Sequence, residues 1–206
     1  FIPVVEEKGL IFPLGSWVLE TACKGLAELQ AAGHDDLYVS VNVSPLQIED
    51  DRFVDKVTDI VRRTGIDPSL LHLEITESSL MNDPEGVINT IKRIKEENPG
   101  IKIAIDDFGT GFSSLSYLSK LPADSVKIDI SFVSGLSNPH NRKIIHTIID
   151  LASSLDLNVV AEGVETEEQW NHLREWSCST LQGFFFSPPV SKEEFIDSLG
   201  DEALYA

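Results

Sequence analysis

Six short apolar segments recur along the chain: "LYVSVNVS" (37–44), "LHLEITES" (71–78), "IKIAIDDFG" (101–109), "SVKIDISF" (125–132), "NVVAEGVE" (158–165) and "LQGFFFS" (181–187). They are rich in Val, Ile and Phe, and several are apolar on both faces, which is how strands read when helices cover a parallel sheet. Helical patterns lie between most of them. Residues 14–32 place Leu14, Val18, Ala22 and Leu26 on one stripe, with Gly33 as a stop. Asp83-Pro84 supplies a cap and a first-turn proline ahead of Val87, Ile88, Ile91 and Ile94. Residues 141–156 carry Ile144, Ile145, Ile148, Ile149 and Ala152, and both Thr166–Gln169 and Ser191–Glu194 fit a capping box. The stretch 113–120 has room for about two turns. Strand–helix alternation of this kind predicts a parallel sheet with helices outside it.

A doubly wound open sheet and a (β/α)8 barrel both satisfy the alternation, and the polar residues help to choose. Asn42, Glu74, Asp106, Asp107, Lys127, Asp129, Glu162 and Glu165 fall in or at the C-terminal halves of their strands. In a barrel those ends converge on one mouth, whereas an open sheet spreads them along an edge. The pattern favours an α/β barrel of TIM type. Six units are two short of eight, and 206 residues is fewer than usual for that fold. Two missing N-terminal strands explain both, and the start at Phe1-Ile2-Pro3 without Met fits a piece of a longer polypeptide.

Charge narrows the partners. With 16 Lys and Arg against 34 Asp and Glu, the net charge is −18, which excludes polymeric nucleic acid as a partner that basic clusters would hold. A small phosphorylated ligand remains open if cations mediate the contact. No apolar run approaches the ~18 residues of a membrane span. Cys23 and Cys178 are isolated, consistent with a reducing, cytoplasmic setting.

The stretch "IAIDDFGTG" ends a strand on two adjacent carboxylates, which lose hydration and repel each other. Residues two apart share a strand face, so Glu74 pairs with Thr76 and Lys127 with Asp129. Asn42, Glu74 and Asp106 offer hard oxygen ligands from three successive strands, and Asp107 adds a fourth. Mg²⁺ or Mn²⁺ suits such donors, and adjacent carboxylates can bridge or flank a two-metal centre of the sort that serves in-line phosphoryl chemistry. None of the histidines at 34, 72, 140, 146 and 172 forms a pair at ligand spacing. Each acid alone also fits a cap or a solvated loop: Asp106 and Asp107 ahead of a helix near Ser113, Glu162 or Glu165 ahead of one near Thr166. Recurrence of polar residues at the same end of five consecutive strands favours a functional site over five separate caps.

These residues resemble the EAL-domain family of bacterial cyclic di-GMP phosphodiesterases. The resemblance runs from Phe1 to about Ser198 through "FIPVVEEKGLIFPLG", "VNVSPLQ", "LEITES", "IAIDDFGTGFSSLSYL", "VKIDISFV", "VVAEGVET" and "LQGFFFSPP". It implies a (β/α)8 TIM-like barrel of EAL type, lacking its first two strands here, and a single EAL domain over residues 1–206. It further implies metal-dependent hydrolysis of cyclic di-GMP to pGpG, with a cyclic di-GMP receptor that does not cleave as the alternative. By the same resemblance Asn42, Glu74, Asp106 and Asp107 are ligands of a Mg²⁺ or Mn²⁺ pair. Lys127 holds the nucleophilic water, and Glu162 is a general base or a water-mediated ligand. Glu165, Gln182 and Asp129 support the site or the substrate, and Glu77 anchors the loop from Phe108 to Ser113. The implied partners are a second copy in a homodimer and GGDEF, PAS or other sensory domains in a longer, cytoplasmic or membrane-attached signalling protein. One departure stands out. The Glu-Ala-Leu that names the family is absent from its expected place, and the "EALYA" at 202–206 is a tail in the wrong position.

Overall fold

The structure is a computed structural model that describes residues 1–81, 83–111 and 115–199. Residues 112–114 of the expected loop and the EALYA tail lie outside the described residues. The chain divides into two compact units, residues 1–106 with 110–124 and residues 107–109 with 125–206.

In the first unit, helices α1 (Ile2–Glu7) and α2 (Ile11–Ala31) precede strand β1 (Val39–Val43). Then come α3 (Pro45–Ile48), α4 (Phe53–Thr64), β2 (Leu71–Thr76), α5 (Pro84–Glu97), β3 (Lys102–Phe108) and the short α6 (Leu115–Leu118). The three strands pair in parallel and in chain order, with Asn42 opposite Glu74, Glu74 opposite Ala104 and Thr76 opposite Asp106. Alternation does the rest. Leu71, Leu73 and Ile75 of β2, and Ile103 and Ile105 of β3, are fully buried on one face. His72, Glu74 and Thr76, with Lys102, Ala104 and Asp106, share the other. Helix α2 packs on β1 and α4, and α4 on α5. Helix α4 is an element beyond the sequence expectations, and its Phe53, Val54, Val57, Ile60 and Val61 are all buried at helical spacing.

The second unit holds β4 (Ser125–Ile128), α7 (Ile130–Ser134), α8 (Pro139–Ser154), β5 (Asn158–Ala161), α9 (Glu167–Glu175), β6 (Thr180–Leu181) and α10 (Lys192–Ser198). Its strands are also parallel and consecutive, with Lys127 opposite Val160 and Ala161 opposite Leu181. Both expected capping boxes form, at Thr166 ahead of α9 and at Ser191 ahead of α10.

Two sequence expectations fail here. The segment 125–132 is not one strand, because the Asp129 carboxylate accepts the Ser131 backbone N–H at 2.9 Å and caps α7. Lys127 and Asp129 therefore do not share a strand face. The segment 181–187 is a strand only at its start. Phe185 N–H instead donates to Val164 O at 2.9 Å, and Phe186 N–H to Gly183 O at 3.1 Å. Gly183 permits this approach, since a Cβ there would meet Val164 O at 2.1 Å.

Candidate functional site

In the first unit the polar strand face rises in three rows. His72 and Lys102 form the lowest, Asn42, Glu74 and Ala104 the next, and Thr76 and Asp106 the highest. Glu74 and Asp106 are buried, at 7% and 9% exposure, although both are carboxylates, while Asn42 is exposed. Asn42 and Thr76 line an open groove of about 530 Å³ whose apolar side comes from Ile2, Ile11, Leu14 and Val18. Thr76 is a polar residue of this face that sequence reasoning did not single out as a site residue. Its signal was its place two residues after Glu74, which puts it beside Asp106.

The lowest row is fixed from below. Asp124 accepts from Lys95 Nζ at 2.7 Å, from the Ile103 backbone N–H at 2.8 Å and from Lys102 Nζ at 3.3 Å. Burial pushes its carboxyl up, but the Lys95 and Ile103 hydrogen bonds and the Lys95 charge outweigh this and hold it below the usual range. His72 stacks on Tyr38 with centroids 4.1 Å apart. Burial pushes the imidazole down, against the upward pull of Asp124.

Glu77 leaves the strand face to begin a short 3-10 turn, Glu77–Leu80, and is almost fully buried. Its carboxylate accepts the Gly111 backbone N–H at 3.1 Å, which ties residue 111 of the glycine loop to the end of β2. A Cβ at Gly111 would lie 2.9 Å from that carboxylate, so a larger residue there would push the Glu77 side chain aside.

At the end of β3, Asp107 adopts left-handed backbone with φ 55°. Asp tolerates that region better than most residues, and the turn breaks the strand alternation directly after Asp106.

The second unit carries a separate pair. Lys127 is 4% exposed, and its Nζ lies 2.7 Å from Glu162 Oε1. Lys127 and Val160 are opposite in register, and Glu162 follows Val160 by two, so both side chains leave the same face. Glu162 N–H also continues the ladder to Ile128 O at 3.2 Å. Glu165 is exposed ahead of α9, where Gln169 Oε1 accepts its backbone N–H at 2.7 Å. Gln182 extends β6, its N–H donating to Ala161 O at 2.9 Å and its O accepting from Val164 N–H at 3.0 Å. Asp129 is engaged as the α7 cap.

The donors fit a hard cation in chemical type, being carboxylates and an amide oxygen without thiolate or imidazole. Among the described residues, no three His, Cys, Asp or Glu side chains are grouped as metal ligands. The two cysteines stand apart from this chemistry, since burial pushes the Cys23 thiol up to about 11 and raises that of Cys178. Among the described residues no helix is long and apolar enough to cross a membrane.

The family model for the EAL domain matches residues 1–189. The chain belongs to the EAL domain family. Two relatives of this EAL chain come from Pseudomonas aeruginosa. The bifunctional diguanylate cyclase/cyclic di-GMP phosphodiesterase MucR is 40% identical over 200 residues, covering 97% of this chain and 29% of MucR. The cyclic di-GMP phosphodiesterase NbdA is 40% identical over 200 residues, covering 95% of this chain and 25% of NbdA. The chain thus spans about a quarter of the length of these curated relatives. Among solved structures, the PaMucR phosphodiesterase in complex with c-di-GMP matches with a TM-score of 0.91 at 40% identity. That match covers 95% of this chain and 78% of the other. The fold is accordingly α/β of EAL type, with the parallel strand order of a truncated TIM barrel, as the sequence led us to expect.

Proposed function

We propose that this EAL chain hydrolyses cyclic di-GMP to linear pGpG in a reaction that depends on Mg²⁺ or Mn²⁺. The observation that carries the reading is the face of β1–β3 on which Asn42, Glu74 and Asp106 occupy adjacent rows, with both carboxylates buried. Two buried carboxylates on one face lose hydration and repel each other, and a divalent cation offsets both costs. Asn42, Glu74, Asp106 and Asp107 would hold the ions. A bound pair supplies positive charge to the phosphate and lowers the pKa of water.

By the likeness of their motifs to those of the family, Lys127 would orient the attacking water and Glu162 would accept its proton. Water oxygen bonds to phosphorus as one P–O3′ bond breaks, and the released 3′ oxygen takes up a proton. Glu77 holds the glycine loop, while Glu165 and Gln182 support the ends of β5 and β6. Asp129 contributes by capping α7. In this reading the chain is one domain of a longer cytoplasmic or membrane-attached signalling protein, joined to GGDEF, PAS or other sensory domains and paired as a homodimer.

The test incubates the chain with cyclic di-GMP and Mn²⁺ and follows pGpG by chromatography. Asp106→Asn and Asp107→Asn abolish turnover with the circular dichroism spectrum unchanged. Full activity of either variant at limiting Mg²⁺ overturns the assignment. A second reading, a receptor that binds cyclic di-GMP without cleaving it, has one observation in its favour. No three acidic, His or Cys side chains are grouped as metal ligands among the described residues. Tight binding without product selects it.

A further inference from the structure

Away from the strand ends, two imidazoles meet one indole on the helices of the second unit. The Trp176 indole, just past the end of α9, lies 4.2 Å from the His146 imidazole of α8 between ring centroids. It also lies 5.6 Å from the His172 imidazole of α9, with the planes 19° apart. His172 Nε2 is 3.9 Å from Glu168 Oε1, and Nδ1 is 3.8 Å from Glu175 Oε2. Those distances are too long for hydrogen bonds, so the two carboxylates act on His172 through charge. We propose that His146, Trp176 and His172 form a proton-sensitive clasp that fastens α9 to α8 as the pH falls. It goes beyond the hydrolase reading and does not depend on it.

Neutral imidazoles contribute stacking alone. An imidazolium against the indole adds a cation–π attraction, and on His172 it also gains the charges of Glu168 and Glu175. On its own helix α8, His146 has Arg142 and Lys143 one turn before it and Asp150 one turn after it. Arg142 Nε is engaged with Leu136 O at 2.8 Å, and Arg174 of α9 sits 4.6 Å over Trp170. Two carboxylates, those of Glu168 and Glu175, thus flank His172.

The clasp acts at one end of α9, and the other end carries the loop that leads from Glu162 to Glu165. There Gln169 Oε1 accepts the backbone N–H groups of Glu165 and Thr166, at 2.7 and 3.0 Å. Gln169 Nε2 donates to Val133 O at 3.2 Å. Fastening α9 therefore steadies that loop.

Histidine charge changes between pH 5 and 8, so the experiment spans that window. The full chain carrying W17F and W170F keeps Trp176 as its sole indole. Its emission falls on acidification, because a protonated imidazole in contact quenches indole. H146Q/H172Q in that background flattens the curve. Amide exchange in α9, corrected for its intrinsic pH dependence, slows by about threefold from pH 8 to 5.5 in the parent and not in the double histidine variant. Should W17F/W170F disturb folding by circular dichroism, the emission difference between the parent and W176F gives the same curve. A flat Trp176 titration, or one unchanged by H146Q/H172Q, overturns the clasp.

Discussion

Replacing Asp124 tests how the polar strand face is held in place. Asp124→Ala removes three acceptor contacts at once: Lys95 at 2.7 Å, the Ile103 N–H at 2.8 Å and Lys102 at 3.3 Å. The consequences differ by partner. Ile103 is fully buried, so loss of the acceptor for its N–H costs about 2 kcal/mol. Lys95 and Lys102 are 27% and 44% exposed and turn to water, so together they contribute only about 1 kcal/mol. The sum of about 3 kcal/mol corresponds to a fall in Tm of about 6–12 °C for a chain of this size. Asp124→Asn keeps an oxygen for the Ile103 N–H and loses only the charge, so its Tm falls by about 2–4 °C.

The pH profile adds a sign. The carboxyl is held below its usual range in the fold, so its stabilisation is present above the unfolded value of 3.8. It is lost as the pH falls through the lower folded value. Thermal melts of the parent and both variants at neutral pH and across the acid range measure this. Equal melting of D124A and D124N, or a D124A protein as stable as the parent, refutes the assignment of the main cost to the Ile103 N–H.

Two further outcomes follow from the geometry. Glu77→Ala frees the Gly111 N–H from its 3.1 Å acceptor and speeds amide exchange at residues 109–111 by about fivefold, at a cost of about 1 kcal/mol; unchanged exchange there removes Glu77 from its anchoring role. β1 pairs only with β2 among the described residues, and its other side meets the apolar groove, so the chain expressed alone self-associates through that edge; a monodisperse monomer by size-exclusion chromatography rules this out.

The sequence displayed the strand–helix alternation because strands buried by helices must be apolar, and six of them left six apolar runs. It displayed Glu74 and Asp106 because a carboxylate in such a run is conspicuous. What it concealed were effects of single contacts. Asp129 looked like the partner of Lys127 on a strand, but a short carboxylate two residues before Ser131 captures that N–H and starts a helix instead. The Lys127–Glu162 contact depended on the register of β4 against β5, which no local pattern reveals. Phe184–Phe186 read as strand by residue type, while a close approach at Gly183 turned the backbone away. Helix α4 was legible in its buried periodicity and was simply overshadowed by the strands on either side.

The left-handed backbone at Asp107 has a consequence for how the family can change over time. Few residues accept that conformation, and Asn shares Asp's tolerance of it. The codons of Asp and Asn differ by one base at the first position. A lineage can therefore lose a negative charge at this strand end by a single mutation that leaves the backbone undisturbed, and regain it by the reverse mutation. Two charge states of this strand end then become neighbouring genotypes on one scaffold, separated by one reversible base change.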